Sequence, residues 1–513
     1  MGVYLDSWLL ELALALSTLL LAAHLSFQWR YQYWKKKGVP YLEPSFPFGN
    51  LGHSLLGQKF FGDVLRELYE KAKGKRFIGI YSILRPVLLV RDPEIVRHIL
   101  IKDFASFRER GIFMDDEEPL NRHLFWLPAQ EWQHRRAKLT PAFSSGKLKG
   151  LFQLIQECGR ELAEVATEMA RRGDPVEVRE VASRFTTDAI VSVGFGLSSD
   201  SQRNPNSVFR DWSSKAFATG LLSSLSVRLN FMSPRLASLL RIKGSFKEAS
   251  IPFRKMIADN VEYREKNNVT RNDFFNLLMQ IKNKGFVDGD KPQIGKNTER
   301  IDFPLEDLAA ECLGFFAGGF ETSASTISYS LYELALHEDI QSNLQLEIDS
   351  VLQRYDGNIT YDGIAEMSYL DKVVSETLRK YPPLSFLNRD CVEPYRIPDS
   401  DVVVDRGTGI LISLFGLHYD PEHFPDPERY DPERFSEEQK AKRSPYVYLP
   451  FGDGPHICIG KRLGLLQTKV GLVNILSKCS VRPTEKTTRH VTYNSRGVML
   501  VPAKEIELKF VKR

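Results

Sequence analysis

The sequence predicts a mainly α-helical protein with small β-sheets, carried on one N-terminal transmembrane helix. Three observations predict it. An apolar run of bilayer length opens the chain, from about Leu5 to Phe27. Apolar residues then recur at helical spacing over long stretches, at 131–170, 304–337 and 342–380. No Pro/Gly-rich linker, internal repeat or low-complexity block divides the body, so residues 48–513 read as one large domain.

Leu9–Ala23 is apolar except for Glu11, Ser17 and Thr18, and a bilayer core takes roughly 20 such residues in a helix. Asp6 and Glu11 lie before or inside the run, while Arg30, Lys35, Lys36 and Lys37 follow it. Positive flanks stay cytoplasmic, so the body should face the cytosol. Trp8 at one end and Trp29, Tyr31, Tyr33 and Trp34 at the other suit the two interfaces. A cleaved signal peptide wants a basic n-region, which is missing, so residues 1–29 read as a retained anchor. Residues 30–47 read as a basic, proline-rich connector. Pro40, Pro44 and Pro47 make stiff, extended chain and no helix.

Phe77–Val90 has strand character, with a turn expected near Arg85-Pro86. Periodicity is helical from Glu131 to about Ala170, and Phe185–Val193 reads as a short apolar helix. Val208–Leu240 carries Phe217, Leu221, Leu222, Leu225, Leu229, Phe231, Met232, Leu236 and Leu239 with few charges. It reads as two helices and a loop, serving either as core or as a surface that dips into the membrane beside a ligand entrance. Lys282–Asp302 is polar and reads as a surface loop. From Pro304, well placed as a first helical residue, a helix runs to about His337. It would span about 50 Å. Its middle, with Cys312, Leu313, Phe315, Phe316 and Ala317, is apolar all round and should be buried. Residues 342–380 are helical again. Short strands follow at Tyr395–Ile397, Val402–Val404 and Gly409–Leu414.

Composition narrows the function. The chain has 513 residues, 42% hydrophobic, which excludes a disordered tail, a collagen-like rod and a small disulfide scaffold. Lys+Arg 69 against Asp+Glu 65 gives +4, which argues against a surface built to grip nucleic acid. The five cysteines are odd in number, widely spaced and free of any C-x-x-C, as in a reducing compartment.

One cysteine stands apart, in Phe451-Gly-Asp-Gly454-Pro-His456-Ile-Cys458-Ile-Gly460. It lies just before an amphipathic helix, whose free N–H groups favour an anion and bias the sulfur toward thiolate. The glycines let a flat, bulky group approach and let backbone N–H groups reach the sulfur. This segment resembles the haem-binding loop of the cytochrome P-450 superfamily, F-x-x-G-x-R/H-x-C-x-G. The resemblance implies a cytochrome P-450 fold with haem b. Cys458 would be the axial thiolate on its iron, Phe451 its shield, and Gly460 part of the same cradle. His456 stands where most members have Arg. It should still reach a haem propionate, with a charge that depends on pH.

Other motifs fall in the family's order. Trp132 and Arg136, at i and i+4, are two donors aimed at one anion, and resemble the family's haem-propionate clamp. Arg389, ten residues after Arg379, matches another propionate contact. Glu376-Thr-Leu-Arg379, with Arg434 in Pro432-Glu-Arg-Phe435, resembles the structural triad that locks the loop leading to the cysteine. Ala317-Gly318-Gly319-Phe320-Glu321-Thr322 resembles the acid–alcohol motif, which assigns oxygen and proton handling to Glu321 and Thr322. By family position, Phe113, Phe125, Phe316, Ala317, Leu384, Phe386 and Val498 line an apolar pocket.

The resemblance runs from Pro40 to the end and is nearest to the insect family-6 xenobiotic oxidisers, on Leu139-Thr-Pro-Ala-Phe-Ser-Ser-Gly-Lys147, Phe451-Gly-Asp-Gly-Pro455 and Phe104/Phe107 before Arg110-Gly111. Pro128-Ala129 departs from it, since relatives carry glycine before the tryptophan. The resemblance implies monooxygenation of lipophilic small molecules with O2. Electrons would come from NADPH through NADPH–cytochrome reductase, with cytochrome b5 as a second donor. Lys138, Lys147, Lys149, Lys461 and Arg462 read either as the reductase dock or as an ordinary solvated face. The location implied is the endoplasmic reticulum membrane, single-pass, with the catalytic domain cytoplasmic. A haem-thiolate isomerase or dehydratase working without reductase, and a non-catalytic haem or hydrophobe carrier, are the rival readings. The acid–alcohol pair speaks against both.

Overall fold

The N-terminal apolar run folds as a single 23-residue helix, α1 (Trp8–Arg30), with no buried residue. At 1.5 Å per residue it is about 35 Å long, enough to cross a hydrocarbon core. The computed structural model describes residues 7–216, 221–242, 247–289 and 303–513. Leu5 and Asp6, used in the anchor argument, lie outside them, as do Phe217, residues 290–302 of the polar loop, and the side chains of Leu221 and Leu222.

The segment after α1 packs on the body. Trp34 is fully buried, and its Nε1 donates to the Ile80 carbonyl at 2.9 Å. Its ring fills the place a side chain on Gly79 would take, 2.4 Å from an added Cβ, so only glycine fits there. The proline run 40–47 has no helix.

Helix α2 (Phe61–Lys71) leads into β1 (Phe77–Ser82) and β2 (Arg85–Val90), joined at Ile83-Leu84. The turn is not at Arg85-Pro86 as expected; both residues are in β2. Pro86 is tolerated because the parallel pairing of β2 with β7 (Gly409–Ser413) begins only at Val87, so its missing N–H is not needed. β4 (Phe386–Asp390) completes the sheet in the order β1-β2-β7-β4. The strands expected at 395–397 and 402–404 form, as β5 (Tyr395–Arg396) and β6 (Val403–Val404), and pair with each other. A third sheet, in the order β3-β9-β8, was not predicted. It joins β3 (Pro175–Glu177), β8 (Cys479–Pro483) and β9 (Glu507–Lys512).

The helical stretch 131–170 is two helices, α3 (Ala129–Leu139) and α4 (Ser145–Arg172), parted by a short 3-10 turn at Thr140–Phe143. Pro141 has no N–H to continue the ladder. The short helix at 185–193 is the inner half of α5 (Val178–Phe195), whose first turn the Glu177 carboxylate caps. Residues 208–240 form three helices, not two: α6 (Val208–Ala216), α7 (Leu221–Met232) and α8 (Pro234–Leu239). Leu229, Met232 and Ala237 are buried against the first sheet, while Leu239 and Leu240 are exposed, so the stretch is part core and part open apolar surface. Next come α9 (Lys247–Lys266) and α10 (Phe274–Lys284); the latter includes the first residues of the expected loop. The long helix α11 (Leu305–Leu336) has Pro304 at its cap, and α12 (Glu338–Arg354) and α13 (Ser368–Lys380) follow. α14 (Lys461–Leu476) closes the core, where Gly471 lets Ile327 of α11 and Phe185 of α5 come within 2.9 Å of an added Cβ.

Candidate active site

The loop before α14 is held by its own backbone. Gly452 and Gly454 adopt φ of +66° and +69°. A side chain at Gly454 would meet the Leu100 carbonyl oxygen at 1.9 Å, so this position takes only glycine. Cys458 N donates to the Phe451 carbonyl at 2.9 Å, closing the loop. Of the five cysteines, Cys458 alone is exposed. Desolvation dominates and holds its thiol above the usual value, against the expected bias toward thiolate; the Gly460 amide, Arg136, Lys461 and Arg110 oppose it without reversing it.

Three arginines converge beside this loop. Burial, then Arg389 and Arg136, lower Arg110 to about 9, and burial lowers Arg389 to about 10. Among the described residues none of the three makes an ion pair with a carboxylate. Arg110 Nη1 donates to the carbonyls of Leu124 (3.4 Å) and Phe125 (3.2 Å), and Arg389 Nη1 to the carbonyl of Asn388 (2.7 Å). Among the described residues, Trp132 Nε1 and Arg389 Nε are buried donors with no partner. Such a cluster calls for a bound anion, since unpaired buried donors are costly. The two carboxylates of haem, a flat dianionic group, fit it. Arg110 was singled out in the sequence only as part of Arg110-Gly111; its place in the cluster was missed, because it lies in a coil with no periodic signal.

His456 is packed between aromatic rings, Trp132 at 3.9 Å and Phe104 at 5.0 Å. Its Nε2 lies 2.7 Å from the Arg108 carbonyl. Burial, then Arg110 and Arg389, lower it to about 2, so the chain's own groups hold the imidazole neutral, with Nε2 donating. The sequence left this charge to pH; burial, with the surrounding arginines behind it, sets it instead.

Across from the loop runs α11. A Cβ added at Gly464, six residues after Cys458, lies 3.8 Å from Ser323 Oγ, so the first turn of α14, just past the cysteine loop, packs beside the Thr322 turn of α11. Here the long helix is open, contrary to the expectation of all-round burial. Ala317 is half-buried and Gly318 exposed, with nothing within 4 Å of a Cβ at Gly318 or at Gly460. Gly319 differs: its Cβ would strike Ile190 of α5 at 2.3 Å. One glycine opens the slot and the other seats the helix. Thr322 Oγ1 donates to the Gly318 carbonyl at 2.8 Å. Glu321 is buried and bound by Arg179 Nη2 at 2.6 Å.

Glu376, Arg379 and Arg434 come together as a buried group. Arg379 grips Glu376 through Nε (2.7 Å) and Nη2 (2.8 Å), with both side chains fully buried, and Arg434 Nε lies 3.5 Å from Glu376 Oε1. Arg379 Nη1 reaches the His418 carbonyl, and Glu376 Oε1 accepts from Asp431 N at 2.9 Å. The triad thus fixes the segment that leads toward the cysteine loop.

The family model described as Cytochrome P450 matches residues 40–510. The chain belongs to the cytochrome P450 family. It is 39% identical over 505 residues to cytochrome P450 6k1 of Blattella germanica, covering 97% of this chain and 96% of that one. To cytochrome P450 6d3 of Musca domestica it is 37% identical over 513 residues, covering 97% and 98%. Both names carry the family-6 designation expected from the sequence. Membership makes this P450 an oxidoreductase of the haem-thiolate monooxygenase type.

The expected pocket residues divide. Phe113, Phe125, Ala317 and Leu384 keep open surface. Phe316 does not: it is fully buried among Phe195 (5.9 Å), Phe320 (5.3 Å) and Phe209 (6.5 Å), on the side of α11 turned to α5 and α6. Phe386 is buried against Phe61 at 4.7 Å and Phe231 at 5.8 Å, and Val498 is buried. Trp126, missed in the sequence, and Phe231, named there as part of the apolar stretch 208–240, face each other at 5.7 Å beside Phe125.

Proposed function

We propose that this P450 inserts one oxygen atom from O2 into lipophilic small molecules, using NADPH-derived electrons delivered by a reductase. One observation carries the reading. An exposed cysteine in a glycine-built loop, a cluster of unpaired buried donors and an open, hydroxyl-bearing turn of the long helix border one slot. Cys458 would hold the haem iron, and Trp132, Arg136, Arg389 and Arg110 its carboxylates. The bound group supplies the oxygen chemistry, which a thiolate ligand favours. The chain's residues do the rest. Phe113, Phe125 and Leu384 offer an apolar wall that excludes water. Thr322 holds a hydroxyl at the slot, and Glu321 holds a proton-exchanging group behind it.

Helix α1 is proposed as an endoplasmic reticulum anchor, with the body cytoplasmic. The exposed Leu239 and Leu240 support a second contact with lipid. For the reductase, Lys461 and Arg462 start α14 beside the cysteine. Lys149 is paired with Asp362 at 2.9 Å, while Lys147, Lys461 and Arg462 have no carboxylate partner among the described residues, so the dock is proposed to centre on these three.

The test is product analysis with purified protein, NADPH, reductase and a panel of lipophilic compounds. An oxygenated product that needs both NADPH and reductase supports the reading. Turnover without reductase moves it to an isomerase or dehydratase. The reduced, carbon monoxide-treated protein should show the red-shifted Soret band of thiolate ligation, and Cys458→Ala should lose it. A band that survives that change places the ligand elsewhere.

A further inference from the structure

The anion cluster is assembled from separate segments. Trp132 and Arg136 lie on α3, and Arg110 lies on the coil before it. Both segments are tied to one carboxylate of the long helix. Glu311 Oε1 accepts from Arg135 Nη1 at 3.0 Å, and Oε2 accepts from Leu124 N at 3.2 Å. Arg135 is the direct neighbour of Arg136 and one turn from Trp132. The carbonyls of Leu124 and Phe125 are the ones that hold Arg110. The second amino group of Arg135 bonds Asp307, and its guanidinium lies over the Phe303 ring at 5.0 Å. Glu311 and Arg135 are 5% and 10% exposed, so the tie is a buried one and loses much if one partner is removed.

We propose that Glu311 is a positioning residue for the haem carboxylates. By holding Arg135 and the Leu124 amide at once, it sets α3 and the 122–128 segment against α11, and so places Trp132, Arg136 and Arg110. The inference rests on the haem reading given above.

The tie is pH-sensitive by construction. Glu311 is faced by Arg135 from α3 and Asp307 one turn earlier on α11, with Cys312 beside it in the helix and His123 next to Leu124 on the coil. Arg110 acts on His123, and Arg122, Glu131 and Glu306 act on Asp307. Two acids share one buried guanidinium. Burial, opposed by Arg135, raises Glu311 to about 7, and burial raises Asp307 as well. His123 is lowered to about 3 by burial and then Arg110, so it stays neutral. As pH falls through about 7, Glu311 takes up a proton and Arg135 loses that counter-charge. The bridge between the two segments then weakens.

The sign separates positioning from general stability. An acid whose folded pKa is raised favours folding at low pH and loses that contribution as pH rises through the folded value. A purely structural Glu311 would therefore serve the fold better below pH 7. A positioning Glu311 holds haem better above it.

The experiment follows haem transfer from the full, haem-loaded chain to excess apomyoglobin, between about pH 6 and about pH 8. We expect loss to be about 3- to 10-fold faster at the lower end, from a weakened charge-assisted bond. Glu311→Gln should lose haem at the fast rate throughout, with no step. Asp307→Asn removes a partner of Arg135 that does not touch Leu124, and should have less effect. A flat wild-type profile overturns the proposal, and so does a Glu311→Gln chain that keeps the wild-type step. If Glu311→Gln does not fold, Asp307→Asn assigns the step: it should keep the wild-type step, and its loss there overturns the proposal. A wild-type chain that takes up no haem at all instead overturns the earlier reading, and this one with it.

Discussion

Arg179 Nη2 donates to Glu321 Oε1 at 2.6 Å, binding the buried acid of the long helix to α5. Ser325 Oγ, one turn on, also reaches that oxygen at 3.3 Å. Thr322, the next residue after Glu321, points the other way, with its hydroxyl on the Gly318 carbonyl at the slot. Adjacent residues therefore hold different posts, one in the slot and one behind it. Thr322→Ala should keep haem, substrate binding and NADPH consumption. Product per NADPH should fall and hydrogen peroxide should rise. Glu321→Gln should slow turnover instead. Arg179→Gln leaves a buried carboxylate without its cation, and should cost about 1–3 kcal/mol of folding stability. Measuring product, peroxide and NADPH together checks the first two, and thermal unfolding checks the third. Unchanged coupling in Thr322→Ala would leave this turn with a structural role only.

Topology can be read from glycan. Asn268-Val-Thr270 and Asn358-Ile-Thr360 are acceptor sequons, and both asparagines are exposed. A translocated body would offer both to modification. The basic flank after α1 predicts that both stay bare. An endoglycosidase-sensitive mass shift on either one would reverse the orientation.

The Glu376–Arg379 pair is fully buried, so breaking it exposes a large cost. Glu376→Gln should destabilise the fold by about 3–5 kcal/mol, since it strands Arg379 in the interior with Arg434 nearby. The loop leading to Cys458 should loosen with it. The expected result is low haem content together with a lowered melting temperature. Full haem content at normal stability would remove the triad from this role.

The parts of this fold that were legible are those whose chemistry is local. The long helix, the cysteine loop and the Glu-x-x-Arg pair each announce themselves within a dozen residues. The β3-β9-β8 sheet did not: β3 is only three residues long and pairs with β9 more than three hundred residues away, and β8 and β9 are joined by a long irregular segment. Arg110 and Glu311 were also illegible. An arginine in a coil and an acid on a buried helix mean nothing until the chain brings Arg389 and Arg136 to the one, and Arg135 and Leu124 to the other. Phe316 was misplaced for a related reason. Spacing says that it lies on the helix of the slot but not which side α5 and α6 cover.

The two glycines of α11 give the sharpest contrast. In the sequence they are equivalent, a pair that lets something come close. In the fold they face different neighbours. A methyl at Gly318 meets nothing within 4 Å and projects into the slot opposite the cysteine loop. Gly318→Ala should therefore leave the haem-free chain as stable as before, or more stable by about 1 kcal/mol, because alanine is the better helix former. What it should lose is room: ligand binding, followed by the haem absorbance shift, should weaken, by about tenfold if the methyl overpacks the slot by about 1–3 kcal/mol. A methyl at Gly319 instead meets Ile190 Cδ1 at 2.3 Å and Cγ1 at 2.8 Å, in a fully packed interface. Gly319→Ala should destabilise the fold by about 1–3 kcal/mol. Adding Ile190→Val removes Cδ1, the atom nearest the new methyl, and should recover part of that loss, which two independent sites would not do. Calorimetry on the four chains and a ligand titration on the first decide it. Equal effects of the two alanines on stability would mean that both glycines serve only the packing of α11 on α5.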